Sequence, residues 1–181
     1  MFLKLKRDVD INGRVDDGGN KQNGFISKEE ASSPTVLTDT VLLSYIIDAQ
    51  EHRDVATIDI TNAFIQTCIK NIEDTENIIV RGALVDALVE IAPDIYGPYV
   101  RTDKKGVKTL ILRCHNTIYG TMVTSILHYK TFSRMIKHLG FKINPYDPCV
   151  ANRMIDDNHH KICWHVDECK ISHVDRKVNG N

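Results

Sequence analysis

No stretch of this sequence is apolar for the roughly 18 to 20 residues that a membrane-crossing helix needs, so no membrane partner is expected. The opening residues, Met1 to Arg7, lack the apolar core of a secretory signal. Cysteine is sparse and odd in number: five residues, at 68, 114, 149, 163 and 169, none in a Cys-x-x-Cys spacing. Neither a disulfide framework nor a zinc ribbon is expected from that pattern. These absences predict a protein of a reducing, intracellular setting, cytoplasmic or nuclear and not secreted. Net charge is also nearly absent, −1 at pH 7. By itself that argues against a strong nucleic-acid binder.

What is present is a globular composition, 42% hydrophobic and 26% charged over 181 residues. That suffices for one domain, or one domain and part of another. The charge is segregated. From Arg101 to Lys142 there are nine Lys or Arg against the single acid Asp103, whereas 71–100 carries six acids against Arg81 alone. Segregation can create a basic surface on a protein that is neutral on average. A solvated helix face with a lysine-rich loop has the same composition.

Along the chain, Phe2 to Arg7 alternates apolar and basic residues, and Asp8 to Gly13, with Asn12-Gly13 its strongest signal, predicts a hairpin turn into Arg14-Val15. The polar stretch Asp16 to Glu30 reads as a surface loop. A helix is predicted over Leu37 to His52, with Val41, Leu42, Tyr45, Ile46 and Ala49 at helical spacing. Val55 to Ile60 reads as a buried strand carrying Asp59 at its end. Further strands are expected at 78–80, 107–114 and 149–154, and a helix near 84–91. A longer helix, Thr121 to Leu139, has Met122, Ile126, Tyr129, Ser133, Ile136 and Leu139 on one face. Lys130, Arg134 and Lys137 fall away from that face, where they could meet an anion. Asp156 to His160 reads as a polar loop, and His159, His160 and His173 as exposed loop residues. Mixed order with antiparallel pairs makes the fold class α+β.

Near the end, two short runs rich in β-branched and aromatic residues, Lys161–Val166 and Cys169–His173, flank Asp167 and Glu168. They predict a hairpin with both acids at its tip. Taken alone, such a pair is ordinarily a solvated turn. If the Asp59 strand neighbours this hairpin, three carboxylates meet, and such a group can hold two divalent ions about 3.5–4 Å apart. That is the chemistry of nucleotidyl transfer. Cys163, His165, Asp167 and Cys169 alternate through the same hairpin and give a second metal reading, a transition-metal site.

The chain resembles the copia-type retrotransposon reverse transcriptases. Asp59-Ile60-Thr61-Asn62-Ala63-Phe64 is similar to that family's first catalytic motif. Ile118-Tyr119-Gly120 and the helix after it are similar to its Leu-Tyr-Gly segment. Gly140-Phe141, Asn144-Pro145-Tyr146-Asp147-Pro148-Cys149-Val150 and Val166-Asp167-Glu168 resemble its later blocks in the same order. Gly13-Arg14, Lys21-Gln22 and Ala31–Val36 resemble its fingers region.

The resemblance implies the fingers and palm of a right-hand polymerase, an antiparallel palm sheet packed on helices, with the thumb missing. By position it divides the chain into fingers at 1–52, the first catalytic palm strand at 53–72, fingers again at 73–120, and palm with the catalytic hairpin at 121–181. It implies RNA-directed DNA polymerase activity, with Asp59, Asp167 and Glu168 catalytic. Two Mg2+ (or Mn2+) ions would be held by these three and the carbonyl of Ile60. Phe64, Arg14 and Lys21 would meet the nucleotide, and Lys130, Arg134 and Lys137 the nucleic acid. The implied partners are an RNA or DNA template-primer, deoxynucleoside triphosphates and other segments of an element polyprotein.

Three departures stand out. Glu168 occupies the place of the family's second Asp, His165 that of an aromatic, and Asn20 a place where related sequences carry a basic residue. No sequence follows the hairpin that would make a primer-gripping hairpin or a thumb. The expectation is therefore a truncated fragment of such an enzyme, active or decayed. The alternative is a non-catalytic nucleic-acid-binding remnant using the basic segment.

Overall fold

Alternation of apolar and polar residues near the C-terminus builds the largest sheet. The computed structural model describes residues 2–5, 11–14, 32–69, 77–121 and 123–180, the first two segments as backbone. Strands β8 (Val150–Ile155), β9 (Asn158–His165) and β10 (Glu168–His173) form a meander. The β8–β9 turn is Asp156-Asp157, both at positive φ (48° and 60°), the pattern of a type I′ turn. The expected loop at 156–160 therefore shrinks to two residues. His160 and His173 lie buried within strands, not in exposed loops, whereas His159 is exposed.

Strand β3 (Asp54–Asp59) adds antiparallel to β10, and β7 (Lys142–Ile143) to β8, giving the order β3-β10-β9-β8-β7. β3 is thus an edge strand. Val55, Ile58 and Asp59 are exposed, so the buried strand expected at 55–60 is instead a half-open one. An edge strand has a neighbour on one side only, and its side chains keep contact with water.

One sheet face carries Cys169, Ile171, Ile162, Trp164 and Ala151 onto Phe132 and Ile136 of α4 (Thr124–His138) and onto Phe141. α4 buries Thr124, His128, Phe132 and Ile136, spaced every four residues, with Ser133 beside them. The expected apolar face is thereby rotated: Leu139 is exposed, and Met122 lies outside the described residues.

The opposite face is covered by α1 (Thr38–Gln50), and here the expected face is inverted. α1 buries Ser44 and Asp48 while Leu42, Leu43, Tyr45 and Ile46 are half or more exposed. The cause is Lys170, which is buried on that sheet face. Its ammonium donates to the Ser44 hydroxyl (2.6 Å) and to the Asp48 carboxylate, and it lies 4.2 Å from the Tyr45 ring centroid. A buried cation without a counter-charge is costly, so the helix turns its polar stripe inward.

A second sheet, of order β4-β6-β5, is made from β4 (Asn77–Arg81), β5 (Arg101–Thr102) and β6 (Lys108–Arg113). α2 (Ala83–Ile91) packs Val85 against Val80 and Leu110 in a small core of its own, and the short α3 (Pro93–Tyr96) adds Tyr96. β1 (Phe2–Leu5) pairs with β2 (Ile11–Arg14). The expected hairpin into Arg14 is present, but Asn12 and Gly13 stand opposite Lys4 and Leu3 within its ladder and not in its turn, while positions 8–10 of the expected turn lie outside the described residues. The loop expected at 16–30 lies outside the described residues. Among the described residues the fold is α+β, with four helices and two antiparallel sheets of five and three strands, beside the β1–β2 pair.

Candidate functional site: the carboxylate end of the large sheet

Antiparallel pairing of β3 with β10 sets Glu168 opposite both Asp59 and His165. Directly opposed residues project to the same face of a sheet, so Asp59 and Glu168 share one side. The amide of Ile60 donates to the carbonyl of Asp167 (2.9 Å), continuing the ladder by one bond into the turn. Asp59, Asp167 and Glu168 therefore come to one end of one sheet.

The turn itself is strained. Val166 and Asp167 are its two central residues, and of these Val166 alone has positive φ, 58°. A β-branched residue in that region is a genuine outlier. Such conformations persist only where the surroundings over-determine them. Here the surroundings are His128, whose Nε2 lies 3.2 Å from the Val166 carbonyl. A carbonyl can only accept, so Nε2 carries a proton; Nδ1 lies 3.2 Å from the Thr67 hydroxyl, which donates to the Ala63 carbonyl (3.2 Å).

Phe64 joins the same cluster. Its ring centroid is 5.5 Å from His128 and 5.1 Å from Tyr119, and it is half-buried. The turn at 61–66 places it there: Asn62 takes positive φ, 55°, and Thr117 donates to the Phe64 carbonyl (2.5 Å). Phe64 is thus tied to the hairpin tip through His128. The helical stripe read from the sequence omitted His128. The every-four-residue spacing 124, 128, 132, 136 was the signal that could have found it.

Asp59, His165 and Glu168 line a pocket of about 460 Å³. Its other walls include Thr57, Lys170 and, from α1, Tyr45 and Val41. Asp167 is not among these walls. Its charge is felt instead by Cys169, whose thiol is pushed up to about 12, first by burial and then by Asp167. Cys163 is also raised, chiefly by burial. Cys169 is directly opposed to Trp164 and so lies on the other sheet face from Cys163 and His165. Among the described residues no three His, Cys, Asp or Glu side chains are gathered as a metal-holding group. The alternation proposed for Cys163, His165 and Asp167 ends at His165, because the turn begins at Val166. Two opposed carboxylates do fit a magnesium ion, which is commonly held by one or two carboxylates with water and substrate phosphates.

The other expected site residues are dispersed. Arg14 closes β2, which belongs to neither larger sheet, and Lys21 lies outside the described residues. Lys130, Arg134 and Lys137 are exposed on α4, which packs on the sheet face opposite to the one shared by Asp59 and Glu168. Comparison with protein-family models, with curated proteins and with solved structures gives no match.

Proposed function

We propose that this chain carries a nucleotidyl-transfer centre of the reverse-transcriptase kind, in the fingers and palm of an RNA-directed DNA polymerase. The observation that carries the reading is the register of β3 on β10, which opposes Asp59 to Glu168 beside Asp167. In this reading the five-stranded sheet is the palm and the three-stranded sheet part of the fingers.

Asp59 and Glu168 are the pair that would hold a divalent ion in their common pocket. A second ion requires the Asp167 side chain to turn toward them, with the Ile60 carbonyl as a further oxygen. When bound, such ions activate an attacking hydroxyl and neutralise charge on the transferring phosphoryl group. The chain's own residues supply position. His128 fixes the tip through the Val166 carbonyl, and Phe64 stands as a wall beside the incoming sugar. The template-primer and deoxynucleoside triphosphates are the substrates, and other segments of an element polyprotein the natural neighbours.

Primer extension on an RNA or DNA template with magnesium or manganese tests this. Template-directed incorporation is expected, and Asp59→Asn or Asp167→Asn is expected to reduce it by about a hundredfold or more. Incorporation unchanged in both variants overturns the assignment. One observation favours a second reading, a non-catalytic nucleic-acid-binding remnant. The three expected metal carboxylates do not form a ready ligand group. Oligonucleotide binding without incorporation would select it.

A further inference from the structure

The far side of the large sheet carries a second feature. Between α4 and β7 runs a groove of about 340 Å³ lined by Tyr129, Lys130, Ser133, Arg134, Lys137 and Ile143. Lys130, Arg134 and Lys137 lie four and three residues apart, the spacing that stacks side chains on one helix face. None of the three has an ion-pair partner among the described residues, and α4 contains no acid that could supply one within the helix. Three unneutralised cations on one short helical stretch repel each other. An anion seated among them removes that repulsion.

The floor of the groove gives an independent sign. Ser133 is 8% exposed, and its hydroxyl is buried without any hydrogen-bond partner. Buried hydroxyls are rarely left so, and a water or ion beside the group is one explanation of an exception. A hydroxyl beneath three cations can donate to a phosphate oxygen while arginine grips the same group through its forked N–H donors. Tyr129 and Ile143 complete the groove with an apolar wall, and the Tyr129 hydroxyl is already engaged with the Pro148 carbonyl (3.2 Å).

We propose that this groove is a phosphate-binding site, built from Lys130, Ser133, Arg134 and Lys137, that acts apart from the carboxylate end. The phosphate is either free, as in inorganic phosphate or a mononucleotide, or part of a single-stranded nucleic-acid backbone. The site sits on the α4 side of the sheet, opposite the pocket of Asp59 and Glu168. A strand held here is therefore not held by the same contacts as a primer end at that pocket.

The full chain is titrated in EDTA with inorganic phosphate and, separately, with a fluorescent single-stranded oligonucleotide. Because no divalent ion is available, the outcome is separable from that of the nucleotidyl-transfer reading. The combined variant Lys130→Gln, Arg134→Gln, Lys137→Gln is expected to weaken binding of the occupying ligand about tenfold or more. Ser133→Ala is expected to weaken it roughly threefold, with unchanged circular dichroism. If the oligonucleotide is the ligand, its log-affinity against log-salt slope falls by about 2 in the combined variant, from three lost backbone contacts at about 0.7 each. A loss confined to inorganic phosphate supports the site with a free phosphate as its source. Binding of both probes unaltered by either variant, or no binding of either by the unmodified chain, overturns the proposal.

Discussion

Val166 and His160 each hold an energetic burden that the rest of the fold keeps in place. Val166 is a β-branched residue at positive φ, a conformation costing on the order of 1–3 kcal/mol and free of that cost in glycine. Part of the gain is lost because glycine is more flexible when unfolded. Val166→Gly is therefore expected to raise stability by about 1 kcal/mol, read as a higher urea midpoint at unchanged slope. His160 sits in a strand against His173, Phe141 and Arg153, and its Nδ1 accepts from Arg153 Nε at 3.2 Å. Burial first, then Arg153 and His173, push its pKa down to about 4 from 6.5. The unfolded chain therefore binds a proton that the folded chain refuses, and stability rises with pH across that interval. The contribution is fully present above about 6.5 and is lost progressively as pH falls toward 4. Urea melts at pH 7 and pH 4.5 are expected to differ by on the order of 2 kcal/mol from this residue. In His160→Phe that part of the difference is expected to vanish.

These two residues also mark how far the sequence could be read. The runs on either side of Asp167 and Glu168 announced a hairpin, because β-branched and aromatic residues bounded by polar turns are strand signals, but its tip is Val166-Asp167 and Glu168 opens β10 instead of sharing the tip. The expected strand ended by Asp59 was found as well. That these two segments pair, in the register that opposes Asp59 to Glu168, depends on contacts between segments far apart in the chain. His160 and His173 were expected in exposed loops because polar residues suggest loops. Nothing local to them announces that Phe141 and Arg153 close over the strand.

Among the elements, α1 departs most from its pattern. Its apolar residues recur at helical spacing, and the natural expectation is that they face the core. Instead Ser44 and Asp48 do, because Lys170 is buried beneath them. The partner that decides which face is buried lies on another strand, so periodicity alone could not find it. Asp48→Ala removes the counter-charge and leaves Lys170 buried and unpaired, which is expected to cost about 3–5 kcal/mol. Replacing both, Asp48→Leu with Lys170→Met, is expected to restore most of that loss, since buried ion pairs are often no better than apolar groups of similar volume. Chemical denaturation of the single and double variants checks both. A double variant as unstable as the single one would mean that the pair itself, and not the isolated charge, sets the cost.

Across the whole molecule, two apolar cores are separate. One joins the five-stranded sheet to α4, and the other, around Val80, Val85 and Leu110, belongs to the three-stranded sheet and α2. The smaller holds few buried side chains, and units with little buried apolar area open first. Hydrogen exchange is therefore expected to proceed earlier at the amides of β4 and β6 than at those of β9 and β10. Leu110→Ala is expected to accelerate the first set by the equivalent of about 2–5 kcal/mol of local stability and to leave the second nearly unchanged. Equal acceleration of both sets would mean the two cores open as one.

The pairing of β3 with β10 has a consequence in time. It joins strands separated by more than half of the chain, and closing so long a loop is entropically slow. A ribosome that has made β3 exposes Asp59 at the end of an open strand. Until β10 has emerged, Asp59 has nothing to face. The carboxylate end is consequently the last part of the large sheet to be assembled, and a chain stalled before Glu168 has the strand but not the site.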